Sequence, residues 1–337
     1  MKSYYIGDGD GLEALTLIDR PEPAAEPGRV VVRMRAFSLN YRDVEIANGR
    51  YGAGQSPRHL VPLSDGVGEV VAVGAGVTRL AVGDRVTAAF MQEWIDGAFD
   101  AGVHKSALGG SIDGVFAEYV SFPDYGLVKV PGYLTDEEAA TLTCAGVTAW
   151  NALFVAGNAK PGQTIVILGT GGVAIFALQF AKLAGLKTIV TSGSDEKLAR
   201  AAALGADFGI NYRATPDWDE EVLKLTDGRG AEIVVEIGGE NTLPHSIRAA
   251  RGLGYIPVIG YVSGKSFTLS LMPLFLKNLN IRGISVGSRR MFEQMNETLA
   301  QRELHPVVDR VFEFGEARAA FEYLESGKHF GKVVIRA

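Results

Sequence analysis

The sequence predicts an α/β protein with a β-rich part and a central domain carrying a doubly wound parallel sheet. Three observations carry that expectation. Before Thr135 the apolar residues alternate with polar ones or form short β-branched runs closed by glycine, whereas after it apolar strands alternate with segments of helical period. The run Thr164–Leu168 (TIVIL) is wholly apolar, as a strand covered on both faces must be. At 337 residues the chain is also too long for one hydrophobic core.

Taken in order, residues 29–36 (RVVVRMRA) alternate apolar and charged, and 66–74, 83–89, 114–123 and 127–131 continue as short strands. Between them, 91–113 is long, irregular and rich in glycine and aromatics, and loops of that length are often functional. Thr135-Asp136-Glu137-Glu138 has the pattern of a capped helix start and leads into a long helical stretch. Then strands at 164–168, 187–191, 208–211, 231–237, 255–260 and 281–286 alternate with helices at 172–184, 195–204, 217–226, 241–251 and 270–278. Six strands with crossovers of that length imply a parallel, doubly wound sheet. The terminal GKVVIRA reads as a strand that completes the β-rich domain, since the central sheet already has its six strands.

Composition narrows the function. The net charge of −6 offers no basic field for nucleic acid or an anionic membrane, and no segment is long and apolar enough to span a bilayer. A single cysteine, Cys144, excludes an internal disulfide and a Cys-rich structural zinc site. These features point to a cytoplasmic protein.

The strongest motif is Gly169-Thr170-Gly171-Gly172-Val173-Ala174, directly after TIVIL and opening a helix. In that context G-x-G-x-x-A is a dinucleotide fingerprint: Gly169 allows the tight turn, Gly171 lets backbone approach a pyrophosphate, and Ala174 permits close helix–strand packing. The helix start offers unpaired N–H groups and a positive dipole end to the phosphates. An NAD site usually has an acid at the end of the second strand, but here Ser192 stands at that point, with Ser194, Lys197 and Tyr212 nearby. Hydroxyls and a cation suit a 2′-phosphate, so NADPH is expected over NADH, although Asp195 lies close by.

The order of a β domain, a CAGVTAW helix, a GTGGVA loop and a final GKVVI resembles the medium-chain dehydrogenase/reductase superfamily over essentially the whole chain. The strings SLNYRD, PLSDGVGEVVAVG, GDRV, INYR and HFGKVV are most similar to its zinc-lacking, quinone-oxidoreductase-like members. The resemblance implies a GroES-like catalytic domain over 1–145 and 288–337 and a Rossmann dinucleotide-binding domain over 146–287. It also implies a homodimer through the strand at 281–286. The family's zinc ligands fall on Asn40, Ser64 and Cys144, with Asp65 beside them, and the four-cysteine lobe falls in 91–113, which has no cysteine. Zinc needs three or four strong ligands, so no metal is expected.

Without zinc, conjugate reduction asks least of the protein: hydride adds to carbon, and hydrogen-bond donors hold the charge that develops on oxygen. The resemblance implies that Asn40 and Thr148 contact nicotinamide or substrate. Tyr41 is either a proton donor or a core residue. Further cofactor contacts are implied at Ile259-Gly260-Tyr261 and Val286-Gly287-Ser288, at carboxyl ends of strands, and at Phe330 and Lys332. Arg42, Tyr51, Trp94 and Phe99, with His104, are weaker substrate-side candidates, and Arg42–Asp43 also reads as an internal ion pair that fixes the loop. Glu45 stands where quinone reductases of this type often carry tyrosine. The expected activity is NADPH-dependent reduction of a small quinone, enone or related activated carbonyl. A zinc-free alcohol dehydrogenase or aldehyde reductase, and a cofactor-binding protein with little turnover, are the alternatives.

Overall fold

The computed structural model describes residues 1–9, 11–51, 58–266 and 268–337. They form two compact units: Met1–Val147 with Gly287–Ala337, and Thr148–Val286.

The first unit is organised by one long strand, Arg29–Leu39. Its first half pairs antiparallel with Tyr119–Pro123, and its second half with the terminal strand Lys332–Arg336. Asp65–Val73 runs antiparallel along its other edge. Arg33 and Arg35 keep the exposed alternation, but Ala36–Leu39 is buried on both faces. The terminal strand thus completes the β-rich unit, as its sequence implied. Phe37 and Phe116 meet edge to face at 5.0 Å between centroids, and Tyr4 stacks on Phe116. Burying each such ring contributes about 1.5–3 kcal/mol. The 91–113 segment is less irregular than expected: it contains a 3₁₀ helix, Ala101–Ser106, whose start is capped by Asp100 accepting from the Gly102 N–H.

The second unit is a sheet of six parallel strands in the order Phe208–Asn211, Lys187–Ser192, Thr164–Leu168, Ala231–Val235, Ala250–Val258, Asn280–Gly283. Its strand order reverses beside Thr164–Leu168, the switch point where such sheets bind ligands. The last strand ends at Gly283, short of the expected 286, because its partner Ala250–Val258 ends opposite it; further on, Val286 leaves the extended range at φ +55°.

The stretch after Thr135 is helical but not one helix. Thr135 and Glu138 form a capping box at the start of Asp136–Ala139. Beyond it, π-helical turns at Leu142–Gly146 and Asn151–Val155 flank a single α turn, Val147–Trp150. Such widened turns are rare and often mark functional positions; Cys144 and Thr148 both lie here. Among the described residues no helix is long and apolar enough to cross a membrane.

Candidate active site and cofactor-binding residues

In the first unit, pairing of Lys332–Arg336 with Arg29–Leu39 carries Lys332 to the end of the long strand, where Asn40 begins a short helix. The ammonium is 3% exposed. It donates to Leu39 O at 2.8 Å and to Asn40 Oδ1 at 2.6 Å, and lies 3.7 Å from Asp65 Oδ2. Asp65 is fully buried; it accepts from Ser64 Oγ at 2.7 Å and from the Cys144 N–H at 3.2 Å. Burial raises the Asp65 carboxyl, opposed chiefly by the Lys332 ammonium. Burial also pushes the Cys144 thiol up to about 12, assisted by the Asp65 charge. Asp43, buried and accepting from the Asn40 N–H at 2.8 Å, is raised to about 6, again by desolvation, against the Arg42 charge.

The structure therefore gathers Asn40, Ser64, Asp65 and Cys144, where the family's metal ligands fall, around a lysine ammonium. This donor set does not fit zinc. Its thiol is far from ionising, its hydroxyl is committed to Asp65, its amide oxygen faces a cation, and a second cation would be repelled. Among the described residues one cluster has metal-ligand spacing, Asp217, Asp219 and His245, but Arg248 already donates to Asp219 and approaches His245 at 2.8 Å.

Other candidates in this unit separate. Tyr41 is 40% exposed, so it is not a core residue, and its hydroxyl is raised by partial burial and by Glu45. Arg42 forms no ion pair with Asp43 among the described residues, correcting that expectation; it donates to Leu108 O at 2.8 Å and lies over the Phe90 ring, with Tyr51 on its flank. Buried Trp94 meets Phe99 edge to face, and Phe99 meets His104 in the same way. Trp94 Nε1 donates to Gly97 O, which makes this aromatic row part of the loop's own packing. Ser288 is buried and caps the helix Arg289–Arg302 by accepting from the Met291 N–H, just after Gly287. Phe330 is buried, while Lys332 turns inward as described.

In the second unit, Gly169 has φ +74°, the conformation that the turn after Thr164–Leu168 requires. Gly171 starts the helix Gly172–Leu183 without a side-chain cap, leaving first-turn N–H groups of Gly172, Val173 and Ala174 for a ligand, with buried Thr170 beside them. Ser192 is buried and its hydroxyl accepts from the Ser194 N–H; Ser194 in turn caps the next helix through the Lys197 N–H. Asp195, the nearby acid, is held by Asn211 Nδ2 at 2.7 Å. A Cβ on Gly193 would meet Arg213 Nε at 2.8 Å and the Tyr212 hydroxyl at 2.9 Å, so both side chains lie over this turn. Arg213 is a cation that sequence reasoning quoted but did not select; INYR ending a strand beside the Ser192 turn was the available signal. These residues fit the dinucleotide of a Rossmann-type site.

Sequence reasoning missed Glu236 entirely. It is fully buried and accepts from the N–H groups of Gly238 and Gly239 and the hydroxyls of Thr242 and Ser246. It thereby shapes the loop at the carboxyl end of Ala231–Val235, against which Gly260 packs: a Cβ there would stand 2.6 Å from Ile237 O. Ile259 and Tyr261 flank that contact, and a bridge between Gly239 and Gly264 closes the pair of loops. Thr148 is buried, and Asn151 Nδ2 donates to Val286 O at 2.7 Å.

A GroES-like β unit and a parallel-sheet nucleotide unit define a class of oxidoreductase. The family described as alcohol dehydrogenase GroES-like domain matches residues 26–132, and that described as zinc-binding dehydrogenase matches 172–301. A zinc-type alcohol dehydrogenase-like protein of Schizosaccharomyces pombe is 46% identical over 317 residues, covering 92% of this chain and 91% of that one. A crystal structure from Sinorhizobium meliloti 1021, provisionally assigned as an alcohol dehydrogenase, superposes with a TM-score of 0.92 at 42% identity, covering 100% of this chain and 98% of that one. A quinone oxidoreductase of Pseudomonas syringae pv. Tomato DC3000 follows at 0.82 and 29%, covering 100% and 99%. The chain belongs to the medium-chain dehydrogenase/reductase superfamily and is an alcohol-dehydrogenase-like, NAD(P)-dependent oxidoreductase.

Proposed function

We propose that the protein is a zinc-independent, NADPH-dependent reductase of quinones, enones or related activated carbonyls. The observation that carries this reading is the Lys332 ammonium held among Asn40, Ser64, Asp65 and Cys144. A lysine ammonium among these donors offers a dication no ligand set, so in this reading the oxygen charge is held by hydrogen bonds. In this reading the first unit is the catalytic domain, with Asn40 facing the reacting oxygen and Tyr41 supplying a proton. The second is the cofactor domain, in which the 169–174 loop, Thr148, the 259–261 segment and Val286 hold the dinucleotide. NADPH supplies the hydride when bound. Ser192, Lys197, Tyr212 and Arg213, with Asp195 tied to Asn211, support preference for its 2′-phosphate over the free hydroxyl of NADH.

The names of relatives favour a second reading, a zinc-free alcohol dehydrogenase or aldehyde reductase. One experiment separates them: p-benzoquinone, an enone, an aldehyde and an alcohol are each assayed with NADPH and NADH, beside elemental analysis of the purified protein. Expected are turnover of the quinone or enone with NADPH, no loss on chelation, and zinc well below one atom per chain. Arg213→Ala should weaken NADPH binding by about 1–3 kcal/mol and barely change that of NADH. Stoichiometric zinc lost together with activity, or a preference for NADH, overturns the proposal; faster turnover of aldehyde or alcohol selects the second reading.

A further inference from the structure

Lys332 is costly where it stands. A buried ammonium loses its hydration and is retained only where acceptors replace it. Its two short bonds go to neutral oxygens, Leu39 O and Asn40 Oδ1, while the nearest carboxylate oxygen, on Asp65, is 3.7 Å away. The lysine is thus bonded chiefly to the end of one strand and to one carboxamide.

An ammonium has donors only, so the carboxamide cannot present its NH₂ to it. That decides the orientation of Asn40: Oδ1 faces Lys332 and Nδ2 points away. Nδ2 is buried and makes no hydrogen bond of ordinary geometry among the described residues; the acceptor near it is the Asp65 carboxylate, which the Asn40 side chain helps to keep ionised. Asp65 is engaged elsewhere, by Ser64 Oγ and the Cys144 N–H. The Asn40 backbone N–H is likewise taken up, by Asp43. A buried donor without a partner is rare in folded proteins, and here its direction is imposed by a neighbour 292 positions away in sequence.

We propose that Lys332 is a positioning residue: it locks the Asn40 carboxamide so that its N–H is held ready for an acceptor oxygen of the bound substrate. The inference rests on the reductase reading above for the identity of that oxygen. As hydride adds to carbon, the π electrons move to the carbonyl or quinone oxygen, and the Asn40 N–H bonds to it; Asn40 itself gives up no proton. This role differs from a contact between Lys332 and the cofactor phosphates or ribose, which the family resemblance implied.

The test combines a spectroscopic and a kinetic measurement. The Asn40 side-chain amide is identified in ¹⁵N-labelled protein by its loss in Asn40→Ala, and its resonances are then followed in Lys332→Met. They should move; unchanged resonances overturn the proposal whatever the activity. With p-benzoquinone and NADPH, Lys332→Met and Asn40→Ala should each lower kcat at least tenfold, and the double variant should be no worse than the poorer single one, with the Kd for NADPH within twofold throughout. Multiplicative losses, or weakened NADPH binding at unchanged kcat, overturn it. Should Lys332→Met not fold, Asn40→Asp keeps an oxygen toward the ammonium and removes the donor. It should lose kcat at least tenfold, and retention within twofold overturns the role. If the wild type does not reduce p-benzoquinone, the function reading is at fault and the amide resonances alone decide.

Discussion

At the scale of single residues, the charges buried beside Asn40 carry consequences for stability. Asp43 accepts the Asn40 N–H through one oxygen, while its other oxygen has no partner among the described residues. Desolvation holds its carboxyl near 6 rather than 3.8. The fold therefore binds a proton at Asp43 that the unfolded chain has already released. Its contribution is fully present below the unfolded value and is lost as pH rises through about 6. At neutral pH the loss amounts to about 3 kcal/mol, at about 1.4 kcal/mol for each pH unit. Asp43→Asn retains a carbonyl acceptor and does not titrate. Urea unfolding should show the variant gaining on the wild type by about 2 kcal/mol between pH 4 and pH 7, because part of the loss has already occurred at pH 4. An equal difference at both pH values would show that Asp43 is ionised throughout.

At the scale of elements, the loop after Ala231–Val235 depends on one side chain. Glu236 gathers four donors, and the loop it ties down packs against Gly260. Glu236→Ala removes both accepting oxygens and leaves the Gly238 and Gly239 N–H groups without their acceptor, whereas the Thr242 and Ser246 hydroxyls can rotate toward others. Each buried donor left unsatisfied costs about 1–3 kcal/mol, so the second unit should lose about 2–5 kcal/mol. Cofactor binding should weaken with it, because the loop lies at a strand end where such sheets bind ligands. Hydrogen exchange of the Gly238 and Gly239 amides reads the effect directly; exchange as slow as in the wild type would mean the carboxylate does not hold the loop. The glycine loop behaves differently. Its conformation follows from Gly169 and an uncapped helix start, both visible in the sequence, whereas nothing local to Glu236 announces that four donors converge on it.

At the scale of the molecule, the six-stranded sheet ends on Asn280–Gly283, whose outer edge is unpaired among the described residues. Beside it in sequence, the helix Leu271–Lys277 buries none of its residues, and Phe275 is 74% exposed, with Leu271, Met272 and Leu276 also exposed. An open edge and a contiguous apolar helix face are a combination that isolated proteins avoid. A second copy pairing along this edge, the homodimer that the family resemblance implied, would cover both. Sedimentation should give a dimer for the wild type and a monomer for the Phe275→Asp, Leu276→Asp variant, with unchanged circular dichroism. A monomeric wild type at micromolar concentration would leave this face without its occupant.

The sequence by itself determined the order of strands and helices and the nucleotide loop, and it pointed to a donor set that suits zinc poorly. Each of these is local: a period of apolar residues, glycines at fixed spacing, or Asn40 and Ser64 at positions where metal ligands are expected. Only the tertiary structure decided where the charges go. Lys332 looked like a cofactor contact until strand pairing brought it to Asn40, and Arg42 read as the partner of Asp43 until it reached Leu108, 66 positions away. Tyr212 and Arg213 acquired their place over Gly193 from a parallel register between two strands. The reason is physical. Backbone periodicity is dictated by which residues prefer which dihedral angles and faces, and neighbours in sequence suffice to express it. The partner of a buried charge is chosen by register and packing between segments far apart in the chain, where desolvation forces every donor to find an acceptor.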